Sequence, residues 1–288
     1  MSPTILITII SLSLLAFLSA VILYFVAQKF KVYEDPRIDE VQALLPAANC
    51  GGCGFAGCRN FAEAIVKSDS FEGLNCPVGG ATVMGEIASV LGRTAPVYDP
   101  TVAVLKCNGS PDYRPRTSVY NGAAECRIVH SLYAGETDCS YGCIGYGDCE
   151  RACTFDALHI NPVTLLPEIS DEKCTSCGAC VKACPRNLIE LRKKAKKDRK
   201  IYVACSNCDK GGPARRACKV ACIGCGKCQK VCAFNAITIE NNLAYIDATK
   251  CTFCRKCVEE CPTNAIIEVN FPPRKPKAEA EAEAVKAQ

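Results

Sequence analysis

The sequence is poor in several features that mark common classes of protein. Its 288 residues include no tryptophan, two methionines and two histidines. The formal net charge is only +4, which is too small to indicate a protein that binds nucleic acid. No nucleophile–base pair, phosphate-binding loop or nicotinamide fingerprint is present, so the sequence assigns no catalytic residue and no substrate chemistry.

Cysteine is the exception to this composition. The chain has 25 cysteines, far above the usage of a soluble globular protein. A disulfide framework would require a secretory context and usually an even count. Because the count is odd and the spacings are typical of iron–sulfur ligands, we expect thiolate-bound clusters, which contribute folding free energy of their own.

An uncharged apolar segment spans residues 5–27. Its length matches the ~20 apolar residues needed to cross the hydrocarbon core of a membrane. No basic side chain precedes it, which argues against a cleaved signal peptide, whereas Lys29, Lys31 and Arg37 follow it. The positive-inside rule therefore predicts a single-pass anchor at residues 1–30, with the N terminus outside and the bulk of the chain in the reducing cytoplasm.

Residues 31–95 are predicted to form a small helical module with four cysteines. These cysteines follow the spacing C-x2-C-x4-C-x17-C and are Cys50, Cys53, Cys58 and Cys76. Glycines between the first three allow backbone conformations that other residues resist. Zinc also binds four cysteines, commonly through two C-x2-C pairs, so this spacing favours a [4Fe–4S] cluster and keeps zinc as the alternative. Helices are predicted at residues 39–45, 59–68 and 77–92.

The second half of the chain contains a duplication built on the run C-x2-C-x2-C-x3-C-P, which binds [4Fe–4S] clusters. Four cysteines recur 79 residues later, so that Cys139, Cys143, Cys149 and Cys153 correspond to Cys218, Cys222, Cys228 and Cys232. Four more recur 77 residues later, so that Cys174, Cys177, Cys180 and Cys184 correspond to Cys251, Cys254, Cys257 and Cys261. Two tandem ferredoxin-like units are therefore predicted, at residues 136–191 and 215–270.

In bacterial two-cluster ferredoxins, the fourth cysteine of each run binds the other cluster. This crossed pattern assigns three sites, which are Cys153 with Cys174, Cys177 and Cys180; Cys232 with Cys251, Cys254 and Cys257; and Cys261 with Cys222, Cys225 and Cys228. The fourth site is irregular, because Tyr146 stands where the middle cysteine is expected. We assign Cys139 to this position, which gives the set Cys139, Cys143, Cys149 and Cys184.

Five cysteines remain without an assigned site, namely Cys107, Cys126, Cys205, Cys208 and Cys218. Two of them lie in the connecting segment, residues 96–135, where buried structural thiols are the simplest interpretation. Four of the five could hold a further cluster, although spacing cannot pair cysteines over such distances. We therefore expect five [4Fe–4S] clusters, with a sixth if those cysteines converge; about twenty or about twenty-four irons per chain would distinguish the two.

The remaining segments carry weaker signals. The basic run at residues 192–200, which lies in a linker at residues 192–214, is interpreted as solvated, with electrostatic steering of an acidic partner as the alternative. The tail at residues 271–288 is predicted to be disordered. Short strands are expected after the fourth cysteine of each run, at residues 158–160, 188–191, 237–239 and 266–269. The predicted fold is α+β: a transmembrane helix, the helical four-cysteine module and two tandem two-cluster ferredoxin-like units.

This order of parts resembles the B subunit of the Rnf complex, a family of membrane ferredoxin:NAD⁺ oxidoreductases that translocate Na⁺ or H⁺. The resemblance rests on the apolar N-terminal segment, the C-x2-C-x4-C-x17-C module and the ferredoxin-type runs, and it covers nearly the whole chain. It implies a non-catalytic relay subunit that takes electrons from soluble ferredoxin at the cytoplasmic face. It also implies partner subunits in the membrane that hold flavin and further clusters, one of which reduces NAD⁺.

The doubled ferredoxin-like unit departs from simpler members of that family, which have one such unit. Two other interpretations stay open. One is the equivalent subunit of a complex that reduces a redox-sensing regulator, and the other is a zinc-stapled membrane scaffold without a redox role.

Overall fold

The structure, a computed structural model, describes residues 3–29, 34–94, 99–133 and 135–273. Lys31 and the tail beyond residue 273, which the sequence predicts to be disordered, lie outside the described residues. The described chain forms three parts in sequence order: an apolar helix, a helical module and a region of four small two-stranded sheets that carries most of the cysteines.

The first helix, α1, spans Pro3–Lys29. Its segment Ile9–Lys29 has a mean hydropathy of 2.6 and none of it is buried against the rest of the chain. At about 1.5 Å rise per residue, this length suffices to cross a bilayer. Within the described ranges it is the one helix that is long and apolar enough to do so, which fits the predicted membrane anchor.

Three helices form the next module: α2 (Arg37–Leu44), α3 (Cys58–Lys67) and α4 (Gly80–Val90). All three are predicted from the sequence and are confirmed. Each buries one apolar face, with Val41 of α2, Ile65 of α3 and Ile87 of α4 fully buried in a common core. The module therefore has an apolar core that contains few cysteines, unlike the region that follows.

In the described part of the chain, eight strands form four antiparallel pairs. They are β1 (Thr101–Leu105), β2 (Leu158–Ile160), β3 (Pro167–Ile169), β4 (Ile189–Lys193), β5 (Lys200–Val203), β6 (Ile237–Glu240), β7 (Leu243–Ile246) and β8 (Ile266–Val269). The pairs β2–β3 and β6–β7 are hairpins, whereas β4 pairs with β1 and β8 pairs with β5. The four predicted strands are thus confirmed, and the connecting segment and the basic run each supply one more.

The basic run is not a solvated linker throughout. Arg192 is 5% exposed, donates a hydrogen bond to the Ile201 carbonyl at 3.1 Å, and lies near the rings of Tyr202 and Tyr245. Lys200 is also buried and forms an ion pair with a carboxylate. The solvated interpretation is wrong at these two positions, because strand pairing turns both side chains inward. Other basic residues of the run do reach solvent, namely Lys193, Lys196 and Lys197.

Four cysteine loops of the second half share one backbone design. Each leads into a single helical turn, and these turns are α6 (Asp148–Arg151), α7 (Ala179–Ala183), α9 (Lys227–Lys230) and α10 (Lys256–Glu259). Two further helices lie outside the loops, namely α5 (Cys126–Leu132) and α8 (Gly211–Ala217). The residue before each turn is left-handed, at φ 76° for Gly147, 75° for Gly178, 76° for Gly226 and 68° for Arg255. The third cysteine of each of these loops, namely Cys149, Cys180, Cys228 and Cys257, consequently lies in the helical turn that follows the left-handed residue.

Candidate iron–sulfur sites

The structure brings together three of the cysteine sets assigned by the crossed pattern. A cavity of about 360 Å³ is lined by Cys153, Cys174, Cys177 and Cys180. A second, of about 340 Å³, is lined by Cys222, Cys225, Cys228 and Cys261. A third, also of about 340 Å³, is lined by Cys232, Cys251, Cys254 and Cys257. In each case, three cysteines come from one loop and the fourth comes from the other run of the same unit.

These cavities are apolar around the sulfur atoms, and this changes the acidity of the thiols. Burial, reinforced by the charges of neighbouring cysteines, raises the pKa of Cys180 and of Cys228 to about 11 and that of Cys257 to about 12. Free thiols at these positions are therefore protonated at neutral pH. A group of four thiolates becomes stable here only with a cationic centre among them, so cluster binding releases protons.

Backbone amides point at several of the sulfur atoms. The N–H of Leu188 donates to Cys184 Sγ at 3.4 Å, and the N–H of Ala265 donates to Cys261 Sγ at 3.3 Å. These two bonds are equivalent in the duplication. Hydrogen bonds to cluster sulfurs lower the cost of their negative charge and tune the reduction potential of an iron–sulfur centre.

The irregular site differs from the prediction. A cavity of about 380 Å³ is lined by Cys126, Cys143, Cys149 and Cys184. The prediction of Cys139 at this site is wrong, because Cys139 is not among the lining residues and Cys126 stands in its place. Burial and the charges of Cys126 and Cys184 raise the pKa of Cys149 to about 12, as at the regular sites.

A carboxylate holds Cys126 in this position. The two oxygens of Asp148 accept the backbone N–H groups of Cys126, at 2.9 Å, and of Arg127, at 3.0 Å. An anion at the start of α5 satisfies amides that lack a helical partner. Because Asp148 directly precedes Cys149, the same residue that begins α6 also fixes α5 beside the cavity. Tyr146 packs against Tyr120 instead, with 6.4 Å between their ring centroids.

Several cysteines that line none of these four cavities lie near one another. Cys139 is buried, and its Sγ accepts a hydrogen bond from Asn207 Nδ2 at 3.6 Å. Burial, with the charges of Cys107 and Cys139, raises the pKa of Cys218. Burial also raises the pKa of Cys205 to about 12, with Cys222 and Cys107 adding to the effect. These side chains therefore share one region between the two ferredoxin-like units.

In the helical module, the structure groups Cys53, Cys58 and Cys76. Burial raises the pKa of Cys76 and the charges of the other two add to it, while the N–H of Gly79 donates to Cys76 Sγ at 3.3 Å. Cys50 lies half-buried in the same loop. The loop is held by the Asn49 side chain, whose oxygen accepts the N–H of Cys58 at 2.8 Å.

This loop also touches the first ferredoxin-like unit. A Cβ atom on Gly52 would lie 2.8 Å from the carbonyl oxygen of Cys177 and 2.9 Å from Pro77 Cγ, so a side chain is excluded there. Lys182 Nζ donates to the Gly51 carbonyl at 3.5 Å across the same contact. The cysteine loop of the module and the one that carries Cys177 are therefore in van der Waals contact.

In the part of the chain that the structure describes, no group of three or more His, Cys, Asp or Glu side chains is placed to hold a single metal ion. A zinc-binding cysteine set would need its sulfurs that close. His159 is exposed and faces Glu150 and Asp156, at 3.4 and 3.1 Å, rather than a cysteine.

Family models match three stretches of the sequence. They are described as a putative Fe-S cluster (residues 45–77), a 4Fe-4S binding domain (residues 167–190) and a 4Fe-4S dicluster domain (residues 221–265). The three stretches contain the module loop, the second run of the first unit and both runs of the second unit. Iron–sulfur binding is therefore supported in each part of the chain that follows α1.

The chain is 44% identical over 240 residues to the B subunit of the Na(+)-translocating ferredoxin:NAD(+) oxidoreductase complex of Acetobacterium woodii, an alignment that covers 83% of this chain and 71% of that protein. The chain belongs to this family of B subunits. It is an iron–sulfur electron-transfer subunit, as the resemblance in the sequence implied.

Two further members extend the comparison. The B subunit of the ion-translocating oxidoreductase complex of Methanosarcina acetivorans is 39% identical over 266 residues, which is 92% of this chain and 99% of that protein. The B subunit of the proton-translocating ferredoxin:NAD(+) oxidoreductase complex of Clostridium ljungdahlii is 37% identical over 251 residues, or 87% of each chain. The similarity thus includes both ferredoxin-like units and not only the module.

Proposed function

We propose that this chain is the membrane-anchored polyferredoxin of an ion-translocating ferredoxin:NAD⁺ oxidoreductase. In this role, the chain takes electrons from reduced soluble ferredoxin and passes them to partner subunits that hold flavin and further clusters. The names of the relatives from A. woodii and C. ljungdahlii support the reaction, with Na⁺ in one and H⁺ in the other. The cysteine-lined cavities support the role of this chain as the relay.

Five cysteine sets would hold [4Fe–4S] clusters. They are the module set, the three regular sets and the irregular set with Cys126 in place of Cys139: Cys50, Cys53, Cys58 and Cys76; Cys153, Cys174, Cys177 and Cys180; Cys222, Cys225, Cys228 and Cys261; Cys232, Cys251, Cys254 and Cys257; Cys126, Cys143, Cys149 and Cys184. A cluster of this kind gains or gives up one electron at a potential suited to exchange with ferredoxin.

Exposure of the cysteines supports one direction for the relay, and this is the observation that carries the proposal. Of all 25 cysteines, Cys225 and Cys254 are the exposed ones, and both belong to the second unit. Cys177, the counterpart of Cys254, is half-buried and lies against Gly52 of the module. Because tunnelling falls steeply with distance, a soluble donor reaches the second unit first. The first unit passes electrons to the module and so toward the membrane.

Charge around the second unit suits an acidic donor. Lys227 and Lys230 lie exposed on the helix after Cys225, and Lys256 lies exposed after Cys254. Lysines grouped beside an electron-donating or electron-accepting site attract acidic proteins and raise their rate of association. The exposed basic residues between β4 and β5 add to this charge.

Helix α1 would anchor the relay with a single pass. The basic residue Lys29 lies at the C-terminal end of α1, from which the rest of the chain continues. Because basic residues next to a membrane span favour the cytoplasmic side, this supports a cytoplasmic location for the module and both units. The module begins at α2, within ten residues of the end of α1, so it lies at the membrane surface. The second unit, at the far end of the sequence, is then the part available to a soluble ferredoxin.

Anaerobic purification of the full chain in detergent tests the proposal. We expect brown protein that contains iron and acid-labile sulfide, bleaches with dithionite, and is reduced by reduced ferredoxin in stopped-flow mixing. Reduction should slow as ionic strength rises. Colourless protein that contains zinc would overturn the proposal, and so would a brown chain that reduced ferredoxin fails to reduce.

A further inference from the structure

Four cysteines that none of the five cluster sites uses converge between the two ferredoxin-like units. Cys107 follows β1 by two residues, and Cys205 follows β5 by two residues. The two segments run side by side, since the N–H of Asn108 donates to the Ala204 carbonyl at 3.0 Å and Ser206 Oγ donates to the Lys106 carbonyl at 3.1 Å. The backbones that carry Cys107 and Cys205 are thus directly connected.

The other two cysteines approach the same place. A Cβ atom on Gly109, two residues after Cys107, would lie 3.4 Å from Cys218 Sγ. Asn207, two residues after Cys205, is 1% exposed and donates to Cys139 Sγ at 3.6 Å. Each of these cysteines is therefore bonded to, or packed against, one of the two segments that run side by side.

The four cysteines are related by the duplication. Cys139 and Cys218 are counterparts at the spacing of 79 residues. Cys107 and Cys205 are counterparts in the fold, because the N–H of Lys106 donates to Leu188 at 2.7 Å and the N–H of Ala204 donates to Ala265 at 2.8 Å. Each copy thus supplies two equivalent cysteines to one shared location.

A buried cation at this location points to an anionic group. Arg114 is 7% exposed, and its Nε atom has no hydrogen-bond partner among the described residues. The same Cβ position on Gly109 lies 3.2 Å from Arg114 Nε, so the guanidinium and Cys218 Sγ approach one point. A buried guanidinium beside neutral thiols is unfavourable. Four thiolates around an iron–sulfur cube carry a net negative charge that would compensate it.

We propose that Cys107, Cys139, Cys205 and Cys218 hold a sixth [4Fe–4S] cluster that joins the two ferredoxin-like units. Hydrogen bonds connect these cysteines to a proposed cluster site in each of the two units. The N–H of Cys143, from the irregular site, donates to Cys107 Sγ at 3.4 Å, and the backbone of Cys222, from the second unit, forms a hydrogen bond with Cys205. Cys208 is left out, because its Sγ turns back to the Ser206 carbonyl at 3.7 Å.

This inference rests on the proposed function only in requiring that the chain binds clusters. Iron and acid-labile sulfide are measured on the full chain purified without oxygen. We expect about twenty-four irons for the unchanged chain and about twenty for Cys107→Ala and for Cys218→Ala. The double variant should also hold about twenty, because both residues serve one cluster, whereas Cys126→Ala combined with Cys218→Ala should hold about sixteen.

Cys208→Ala is the matched control and should keep about twenty-four irons, whereas Cys205→Ala should lose about four. The reverse result would overturn the assignment of Cys205. An unchanged chain with about twenty irons, or a Cys218→Ala variant with full iron, would overturn the sixth site while leaving the proposed relay function in place. A chain without iron would overturn both.

Arg114→Gln provides a second readout that does not depend on losing a ligand. Removal of a buried positive charge disfavours the reduced, more negative cluster. Arg114 Nη2 also donates to the Cys143 carbonyl at 2.6 Å, so the signal to follow is the one that Cys218→Ala loses. We expect Arg114→Gln to keep its iron and to show that signal at a lower potential in a redox titration. If that signal keeps its potential, Arg114 does not neighbour the sixth cluster and the proposal fails.

Discussion

The two ferredoxin-like units have the same loop backbone but different residues at one position. In the second unit, Cys225 lies between Gly224 and Gly226, whose φ angles are 63° and 76°. In the first unit, Tyr146 lies between Gly145 and Gly147, whose φ angles are 90° and 76°. The loop of the first unit therefore has the conformation of a cysteine loop although tyrosine stands at its middle position. The two loops therefore share a backbone conformation, whereas the fourth cysteine that lines the cavity of the first unit comes from α5.

The first unit can supply a cysteine from outside its loop because the segment that precedes the loop is longer than in the second unit. Thirty-one residues separate Cys107 from Cys139, whereas twelve separate Cys205 from Cys218. The additional residues of the first copy include α5, which begins at Cys126.

The largest expected effect comes from removing the substitute ligand. Cys126→Ala should lose about four irons, as should Cys225→Ala in the second unit, because each removes one of four thiolates from a cavity. Iron analysis and the loss of one electron-paramagnetic signal measure the result. If Cys126→Ala keeps its full iron content, then Cys126 is a structural thiol and the two units do not differ as described.

A cysteine at position 146 should reverse that loss. In the Cys126→Ala background, Tyr146→Cys places a thiol between the two left-handed glycines, as at Cys225, so we expect about four irons to return. Tyr146→Ser in the same background is the matched control and should not restore them. Failure of the cysteine to rescue would mean that the loop backbone alone does not define the site.

A smaller effect, on the rate of electron transfer, is expected at the contact between the module and Cys177. The module covers Cys177 in the first unit, whereas its counterpart Cys254 is exposed in the second. Gly52→Ala forces the module loop away from Cys177, because the new Cβ would lie 2.8 Å from its carbonyl oxygen. Electron transfer from the first unit to the module should slow severalfold in stopped-flow experiments, at unchanged iron content. Gly85→Ala, with no atom within 4 Å of its new Cβ, is the control and should transfer at the original rate. Equal rates for the two variants would contradict the module contact as a route.

The smallest effect concerns the exposed end of the second unit. Lys227→Gln with Lys230→Gln should slow reduction by ferredoxin roughly tenfold or less at low salt, and the difference should vanish at high salt. Lys173→Gln, on the first unit and paired with Asp156 at 2.7 Å, is the comparison and should leave the rate unchanged. If the variant at Lys173 is the slower one, ferredoxin docks on the first unit instead.

The three regular cysteine sets could be predicted because their ligands lie in short loops whose spacing fixes the geometry. The place of Cys126 could not be predicted, since it lines its cavity from a separate helix held by Asp148, and spacing does not report such contacts. One signal was available: Cys218 is not needed in the complete second site, so its counterpart Cys139 was a poor candidate in the first.

The burial of two side chains in the basic run could not be predicted for a related reason. Its charges indicated solvent, while the Ile201–Val203 stretch, which has high strand propensity, indicated a strand. The structure follows the strand, and pairing with β8 buries Lys200. Burial of a charged side chain depends on partners that only the assembled fold supplies, here Asp171.

The pairing of β4 with β1 and of β8 with β5 determines which fragments of the protein contain complete sheets. Neither ferredoxin-like unit is structurally complete from its first cysteine onward, because one strand of a two-stranded sheet lies upstream of that cysteine: β1 in the first unit and β5 in the second. A fragment that starts at residue 136 would leave the edge of β4 bare and prone to self-association. Truncations that start ahead of Thr101 or ahead of Lys200 keep the partner strand, and are the ones to express.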